Sequence, residues 1–473
     1  MVASRCLSTV EKCLFAAFLL TLFWAPLPFG SNRPWAASLL FVLLSAILAG
    51  WLLLFLFDAV SPSRRAWQRS RWPLLALASI PLWIFMQTLP LPPEWVALLS
   101  PRAAELHVDS DWVPLSLDVA ATKFYLLGSL ACFCAFALVV FLVNSAFRAR
   151  MLLWVLVASG VFQATYGALM VLSGLELGFF VEKYVGVGQA TGTFVNRNHL
   201  AGYLVITLAA GSGLLLSEFA SDSALSVRDF VRKTLQTLLS AKVILRVMLA
   251  LMVIALVLTR SRMGNMAFFS ALAVAGLVAL VCGRRFSPKL VLLLLSLFVV
   301  DAIIVGQWFG LEKLVERLET TETAGKIRLD VSTSSSSIIE DFPLAGSGGG
   351  SYYGIFPYYQ DLSTAGSYYT HAHNDYVELI SDLGMPVTVL SFGALFLLVL
   401  RRALRIQARD HSRLQRGVGF ATIMALTWVA MHSWVDFNLQ ILANGVTLSA
   451  VLGLAFAKIL PGNGGDNGNK TPV

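Results

Sequence analysis

Charged residues are scarce in this sequence, and cysteines are few. Asp, Glu, Lys and Arg make up 13% of the 473 residues, against 57% hydrophobic residues, and the mean hydropathy is +0.74. This composition excludes a soluble protein of two or three domains. The five cysteines lie in or beside apolar runs without paired spacing, so we expect neither a disulfide framework nor a cysteine metal site.

Apolar runs of about 20 residues, the length with which a helix crosses the hydrocarbon core, recur along the whole chain. We therefore predict an all-α polytopic membrane protein with about twelve transmembrane helices. The first run lacks a small-residue cleavage site, so we interpret it as a retained helix and not as a signal peptide. The predicted spans are residues 13–30, 35–57, 72–90, 123–144, 150–174, 198–217, 243–259, 263–282, 288–309, 376–400, 417–435 and 438–460.

Lysine and arginine are unevenly placed between these spans. With both termini in the cytoplasm, most of the 35 basic residues fall inside and most of the 27 acidic residues fall outside, which is the usual orientation. The net charge of +8 then reflects topology and contact with anionic lipids, and no nucleic-acid partner is expected. We divide the chain into N-terminal membrane helices (1–150), a catalytic membrane region (151–460) with a long periplasmic loop containing short helices (310–375), and a disordered cytoplasmic tail (461–473).

Four arginines on the predicted outer side run against this charge rule. Arg197, Arg260, Arg262 and Arg328 all stand near span ends, where charge is expensive and usually functional. Guanidinium groups suit phosphate, so we favour an anionic ligand over lipid head groups or carboxylate partners. Asn198 and His199 follow Arg197 at a helix start that attracts anions, although Asn198 could equally cap the helix.

The stretch "HAHNDYVELISDLG" (371–384) places two histidines before a predicted span. A histidine at the outer surface can take a proton from a hydroxyl; the alternatives are structural hydrogen bonding or metal binding, for which no third ligand is evident. Asp375 and Glu378 match a capping box, which would start the helix. Asn374, Glu378 and Ser381 share one helix face and could line a cavity. His371 and His373 are therefore candidate site residues.

Further polar motifs each allow both a structural and a functional interpretation. His432 and Asp436 are spaced to share one helix face, either as a buried pair or as part of a site.

Tyr352 belongs to a tyrosine-rich loop that suits sugar stacking or the membrane interface. Residues 311–331 predict an amphipathic surface helix, and the serines after it are a helix start or a flexible stretch. "GSGGG" lacks the strand-then-helix setting of a dinucleotide loop, and Asp109 with Asp111 is only a weak metal motif.

Taken together, several stretches resemble the bacterial O-antigen ligase and O-antigen polymerase superfamily over residues 150–455. They are "TFVNRNHLAGYL", "TRSRMG", "DFPLAGSGGGSYYGIFPYY", "HAHNDYVELISDLG" and "HSWVDFNLQILANG". The resemblance implies a glycan donor on undecaprenyl diphosphate and a glycan or lipid A-core acceptor, without nucleotide sugar, metal or cofactor. It also implies that His373 activates the acceptor hydroxyl and that Arg262 and Arg328, with Arg197 a further match, hold the diphosphate.

The acceptor divides this superfamily into ligases, O-antigen or exopolysaccharide polymerases, and protein O-oligosaccharyltransferases, and the sequence favours none of them decisively. A transporter or flippase of lipid-linked glycans is the main alternative. It predicts internal repeats and polar residues at mid-membrane, whereas the unusual polar residues here cluster at span ends. A structural or signalling membrane protein would leave the outer arginines and histidines unexplained.

Overall fold

The computed structural model describes residues 2–106, 111–178, 181–183, 186–218, 241–282, 311–410 and 412–460. Within these ranges the chain is mostly helical, with loops between the helices and two paired two-residue strands, β1 (Leu177–Gly178) and β2 (Val181–Glu182). The helices, numbered in chain order, are α1 (Val2–Trp24), α2 (Pro34–Leu56), α3 (Arg64–Gln87), α4 (Pro93–Leu99), α5 (Pro101–Leu106), α6 (Val119–Leu142), α7 (Ala146–Ser173), α8 (Arg197–Ser217), α9 (Ala241–Leu258), α10 (Arg262–Cys282), α11 (Leu311–Asp341), α12 (Tyr352–Ile355), α13 (Asp375–Leu383), α14 (Met385–Val387), α15 (Gly393–Arg409), α16 (Arg413–His432) and α17 (Leu442–Leu454).

Six segments of the described chain are long and apolar enough to cross a membrane. This finding supports the predicted helical membrane protein, while the number of about twelve spans stays a prediction. The predicted span 288–309, the predicted tail 461–473, and Asp109 with its neighbour Ser110 lie outside the described residues. The six segments are Pro34–Leu56, Val119–Leu142, Ala146–Leu172, Arg197–Ser217, Arg262–Cys282 and Met385–Arg409.

The bundle is built around α8, which is apolar on every side and almost completely buried. Helix α16 packs closely along it because both helices carry glycine at the crossing. A Cβ atom on Gly213 would lie 2.3 Å from the carbonyl oxygen of Gly417, and one on Gly417 would lie 2.1 Å from that of Gly213. Small residues at such a crossing bring two membrane helices into backbone contact.

A second apolar core lies at one end of the bundle and joins two distant parts of the sequence. Val96 and Val113, from the segment around α4 and α5, pack with Val331, Ile338 and Phe342 from α11 and the turn after it. We call the described residues 91–106, 111–117 and 311–374 together the cap. The long loop is therefore folded against an early segment of the chain.

Helix α11 corrects one prediction about the loop. The predicted helix is present, but it runs for 31 residues, to Asp341, so the loop does not contain short helices alone. The serines thought to start a helix or to be flexible lie inside α11. The Ser334 and Ser335 hydroxyls donate to carbonyls one turn earlier, at 3.0 and 2.6 Å, which satisfies serine within a helix.

The predicted span 376–400 is also wrong in its bounds. Helix α13 ends at Leu383, and Gly384 adopts a φ of +82°, where a Cβ atom would lie 2.1 Å from the carbonyl oxygen of Leu344. The membrane segment begins only afterwards, at Met385, and contains a π-helical turn at Thr388–Phe392. The physical reason is that α13 carries three buried carboxyl groups, which suit the protein interior next to the cap and not the hydrocarbon core.

Candidate active site

Five separate segments meet where the cap joins the bundle and carry most of the predicted site residues. They are the start of α8, the turn between α9 and α10, the middle of α11, the loop 371–374 before α13, and the turn that follows α16. Each is an element end or a loop except α11. Side chains at such positions can point into a shared space while the bundle holds their backbones.

His373 lies beside Asp436 at the centre of this region. Its Nδ1 is 3.7 Å from Asp436 Oδ1, and its backbone has a φ of +52°, which is rare for a residue other than glycine. The Asp436 side chain is only 1% exposed, whereas His373 is 25% exposed. The buried Nδ1 edge therefore faces the carboxylate, and Nε2 is the nitrogen left for a ligand.

Asp436 is held as a carboxylate by its surroundings. It accepts hydrogen bonds from the Asn198 amide and from the backbone N–H of Phe437, the latter at 3.0 Å. Burial would raise the pKa of Asp436, but the neighbouring His373 and the charges of His199, His432 and Arg328 bring that pKa below its ordinary value. Asn198 thus supports the site and does not cap α8, because Asn196 accepts the capping bond from the Asn198 N–H at 2.8 Å.

His371 belongs to a second histidine–carboxylate pair. Its Nδ1 lies 2.6 Å from Glu378 Oε1, while Glu378 Oε2 accepts the backbone N–H of Ala372 at 2.9 Å. The capping-box prediction is therefore wrong, since Glu378 reaches back to the histidine stretch. Asn374 caps α13, because its side-chain oxygen accepts the N–H groups of Tyr376 and Val377 at 3.0 and 3.2 Å.

The ring of Phe437 links three of the predicted histidines. His371 stacks on it with ring centroids 4.1 Å apart, and His373 and His199 meet its edge at 5.1 and 4.7 Å. In the sequence, only the position of Phe437 next to Asp436 indicates a place in the site.

Arg197 lies close enough to the other three predicted arginines and to Asp436 to interact with them electrostatically. The charge of Arg197 is repelled by those of Arg328, Arg262 and Arg260 and attracted by that of Asp436. Within the described ranges, none of Arg197, Arg260 and Arg328 forms an ion pair with a carboxylate. Arg260 also has a positive φ of +55°. Four gathered cations with one buried acid nearby form a region suited to an anion.

His432 and Asp436 do not share a helix face as predicted. Helix α16 ends at His432, and Asp436 lies in the following turn. The His432 ring is buried and accepts a hydrogen bond at Nδ1 from the Asn438 amide, at 2.8 Å. His199 is likewise buried, and its carbonyl accepts the Asn444 amide at 3.1 Å. These two histidines position the turn that carries Asp436 and Phe437.

Tyr352 is a predicted site residue that lies buried in the cap and not in the open site. Its side chain is 2% exposed within the apolar core of the cap, and its hydroxyl bonds with that of Ser335 at 2.7 Å. Burial, partly offset by that bond, raises the pKa of the hydroxyl. The tyrosine is therefore a packing residue, because it has no free surface on which a sugar could stack.

Helix α13 ties the site together through its acids. Asp375 accepts the Ser433 hydroxyl at 2.9 Å and the Leu439 N–H at 3.3 Å, and Asp382 accepts the Gly350 N–H at 2.7 Å. Burial, with the nearby charge of Glu378, raises the pKa of both aspartates well above their ordinary value. The three acids thus fix the turn after α16, the histidine stretch and the glycine-rich turn.

An apolar cavity of about 660 Å³ lies on another side of α13, between α3, α6, α15, α16 and α17. From α13 it is lined by Tyr376, Leu379 and Ile380. The predicted lining by Asn374, Glu378 and Ser381 is wrong for this cavity, since those residues are buried in the contacts of α13.

The arrangement combines two histidine–carboxylate pairs with a cluster of cations. A histidine oriented by a carboxylate can take a proton from a hydroxyl, and arginines can stabilise negative charge on a departing phosphate. In the part of the chain that the structure describes, no group of three or more His, Cys, Asp or Glu is placed to hold a metal ion.

Comparison with known protein families finds a match within the chain. Residues 247–392 match the model of a family described as O-antigen ligase. The matched segment contains Arg260, Arg262, Arg328, His371 and His373 and ends within the π-helical turn. No curated protein matches the chain.

Proposed function

We propose, from the match of residues 247–392 to the O-antigen ligase family, that the chain belongs to the O-antigen ligase and polymerase superfamily and is a membrane glycosyltransferase that uses a lipid-linked donor. The donor is a glycan on undecaprenyl diphosphate, and the acceptor is a sugar hydroxyl of a second glycan or of lipid A-core. The reaction takes place at the periplasmic face of the bacterial inner membrane, in the synthesis of a cell-surface polysaccharide.

The observation that carries this proposal is the juxtaposition of His373 with the arginine cluster through Asp436. Asp436 lies 3.7 Å from His373 and interacts electrostatically with both Arg197 and Arg328. A base and a phosphate-binding group must stand this close for an acceptor hydroxyl to attack a sugar that is leaving diphosphate. A site with arginines alone would serve lipid binding equally well.

In the proposed step, the acceptor hydroxyl hands its proton to His373 Nε2 as its oxygen attacks the anomeric carbon of the donor glycan. The new carbon–oxygen bond forms while the bond from that carbon to the diphosphate oxygen breaks. The electron pair of the broken bond leaves with undecaprenyl diphosphate. Asp436 stabilises the imidazolium that results, and its carboxylate remains ionised because its pKa is below the ordinary value.

Arg328 and Arg262, with Arg197 and Arg260, receive the diphosphate in this proposal. Negative charge grows on the leaving oxygen during the step, so donors that are already fixed around it stabilise the transition state more than the ground state. Because Arg197 and Arg260 are held at a helix start and a strained turn, their backbones are fixed before the donor arrives. In this proposal, preorganised arginines hold the diphosphate.

Transfer and transport are separated by a reconstitution experiment. The purified protein is placed in lipid vesicles with undecaprenyl-diphosphate glycan carrying a fluorescent label, and three acceptors are offered in turn: lipid A-core, unlabelled lipid-linked glycan, and a protein substrate. We expect one acceptor to gain labelled glycan while undecaprenyl diphosphate is released. Movement of intact donor between leaflets without any new glycosidic bond would instead establish a flippase and overturn the proposal.

A further inference from the structure

The two histidine–carboxylate pairs of the site are not equivalent. His371 and Glu378 are 2.6 Å apart, within hydrogen-bond distance, whereas His373 and Asp436 are 3.7 Å apart. The Glu378 side chain is only 3% exposed and both of its oxygens are engaged, by His371 and by the Ala372 N–H. The proposed reaction uses His373 and Asp436, and it leaves the closer pair, His371 and Glu378, without a role.

Glu378 determines which nitrogen of His371 carries the proton. A carboxylate only accepts hydrogen bonds, so Nδ1 of the neutral ring must be the donor and Nε2 must keep its lone pair. The ring cannot turn away easily, because it is stacked on Phe437 at an interplanar angle of 20°. With 24% of its side chain exposed, His371 presents to the site a fixed acceptor of hydrogen bonds.

Phe437 also fixes the position of the His371 ring relative to His373, the proposed base. His371 covers the face of the Phe437 ring and His373 meets its edge, with centroid distances of 4.1 and 5.1 Å. The two imidazoles therefore contact the same aromatic ring and belong to one site. Arg197, one of the proposed diphosphate-binding arginines, interacts electrostatically with Asp436, which pairs with His373, whereas His371 pairs with Glu378. We therefore assign His371 to the acceptor.

We propose that His371 is a specificity residue for the acceptor: its Nε2 accepts a hydrogen bond from a sugar hydroxyl adjacent to the one that reacts at His373, and Glu378 is the positioning residue that fixes its tautomer. This inference rests on the proposed glycan transfer and adds the recognition of a hydroxyl-bearing acceptor to it. A site built to bond a hydroxyl discriminates strongly against a sugar that lacks it, because its own polar group is left unpaired.

The test compares Glu378→Gln with wild type in the vesicle assay, using whichever of the three acceptors the wild-type protein glycosylates. The glutamine amide can donate to Nδ1 and so turn Nε2 from an acceptor into a donor. We expect the KM for the acceptor to rise about 10-fold or more, with the KM for the labelled donor unchanged. The matched control is Glu340→Gln, which removes an exposed carboxyl group of α11.

A second variant guards against misfolding of the first. His371→Asn keeps an N–H donor for Glu378 but has no atom at the Nε2 position, and we expect the same selective rise in acceptor KM. An unchanged acceptor KM in both variants would overturn the inference, as would equal rises of the KM for donor and for acceptor. A complete loss of turnover would also overturn it, because His371 would then be the base. Absence of transfer in the wild type would instead refute the proposed function itself.

Discussion

His373 has a backbone conformation that a histidine rarely adopts. Its φ of +52° falls in the left-handed region, and Arg260, a second candidate residue, has a φ of +55°. Such conformations cost about 1–3 kcal/mol each and persist where the surrounding structure fixes them. At His373 that surrounding is the Asn374 cap of α13, the Phe437 ring and Asp436. Local strain at two proposed ligand-contacting residues is consistent with a site assembled before its substrates bind.

The arginine cluster gives a prediction at the scale of single residues. Arg328→Ala should raise the KM for the lipid-linked donor about 10- to 100-fold, because a charged hydrogen bond to phosphate contributes about 1.5–3 kcal/mol. Vesicle assays at several donor concentrations measure it. Lys326→Ala is the matched control, since it removes an exposed cation from the same helix two residues away. Equal effects of the two substitutions would show that general positive charge, and not a diphosphate contact, is involved.

The sequence could predict which residues form the site better than it could predict their partners. Arg197, Arg260, Arg262 and Arg328 could be found because they violate the charge rule for outer segments. Glu378 was predicted as a helix cap, although it bonds His371, since spacing alone cannot show that the chain before α13 folds back. Phe437 contacts rings from two remote segments, and no local pattern encodes such a meeting.

At the scale of elements, α13 and the glycine-rich turn form one unit. The N–H groups of Ser347 and Gly348 donate to the carbonyls of Ser381 and Asp382 at 2.8 and 3.0 Å, and Met385 donates to Pro343 at 2.9 Å. Gly346 has a φ of +71°, and a Cβ atom there would lie 2.3 Å from the Asp382 carbonyl oxygen. The glycines of "GSGGG" therefore serve backbone contact between two motifs.

This contact predicts a clear stability difference between two glycines. Gly346→Ala should destabilise the protein by more than about 2 kcal/mol, since it adds a backbone collision to the cost of a positive φ. Gly366→Ala has a similar φ, +86°, but open space around the added carbon, so it should cost only about 1 kcal/mol. Thermal unfolding in detergent compares them. Similar melting temperatures for the two variants would mean that the close approach at Gly346 is not rigid.

Asp375 gives a prediction on pH. Because burial raises the pKa of Asp375, the folded state holds its proton more tightly than the unfolded state does. The contribution of Asp375 to the stability of the folded protein therefore falls as pH rises above about 4. Asp375→Asn keeps an oxygen for Ser433 and Leu439 but cannot ionise. Its melting temperature should exceed that of wild type by a margin that grows from pH 4 to pH 8. The exposed Glu340→Gln serves as control, and a margin that is constant or shrinks with pH would contradict the raised pKa.

Element boundaries were predictable where hydropathy alone decides them. The spans predicted at 35–57 and 198–217 agree with Pro34–Leu56 and Arg197–Ser217 to within a residue. The prediction failed at 376–400, because the apolar run continues through Gly384 although the helix does not. That break depends on a positive φ and on contact with Leu344, 40 positions earlier in the chain, which hydropathy cannot report.

At the scale of the whole molecule, the cap unites an early segment of the chain with the long loop. Its apolar core draws on residues around α4 and α5 as well as on α11, and Gln87 at the end of α3 donates to the carbonyls of Ala345 and Asp382 at 2.8 and 2.9 Å. The first helices thus support the site from outside the segment that matches the O-antigen ligase family.

The proposed orientation places the cap in the periplasm, which labelling can test. In a variant without its native cysteines, a cysteine at Leu362, which is 99% exposed in the cap, should react with a membrane-impermeant maleimide added to intact spheroplasts. A cysteine at Arg409, at the far end of α15, should react only after the membrane is opened. The reverse pattern would place the site in the cytoplasm and contradict the proposed donor.

The proposed mechanism depends on His373 taking the proton of the acceptor hydroxyl, and the loss of its imidazole tests this role. Turnover of labelled undecaprenyl-diphosphate glycan is compared between wild type and His373→Ala in vesicles, with donor binding and thermal unfolding measured on the same samples. General-base loss predicts that kcat falls about 10²- to 10⁴-fold while donor binding and melting temperature are retained. A folded His373→Ala protein with near-normal kcat would contradict the account.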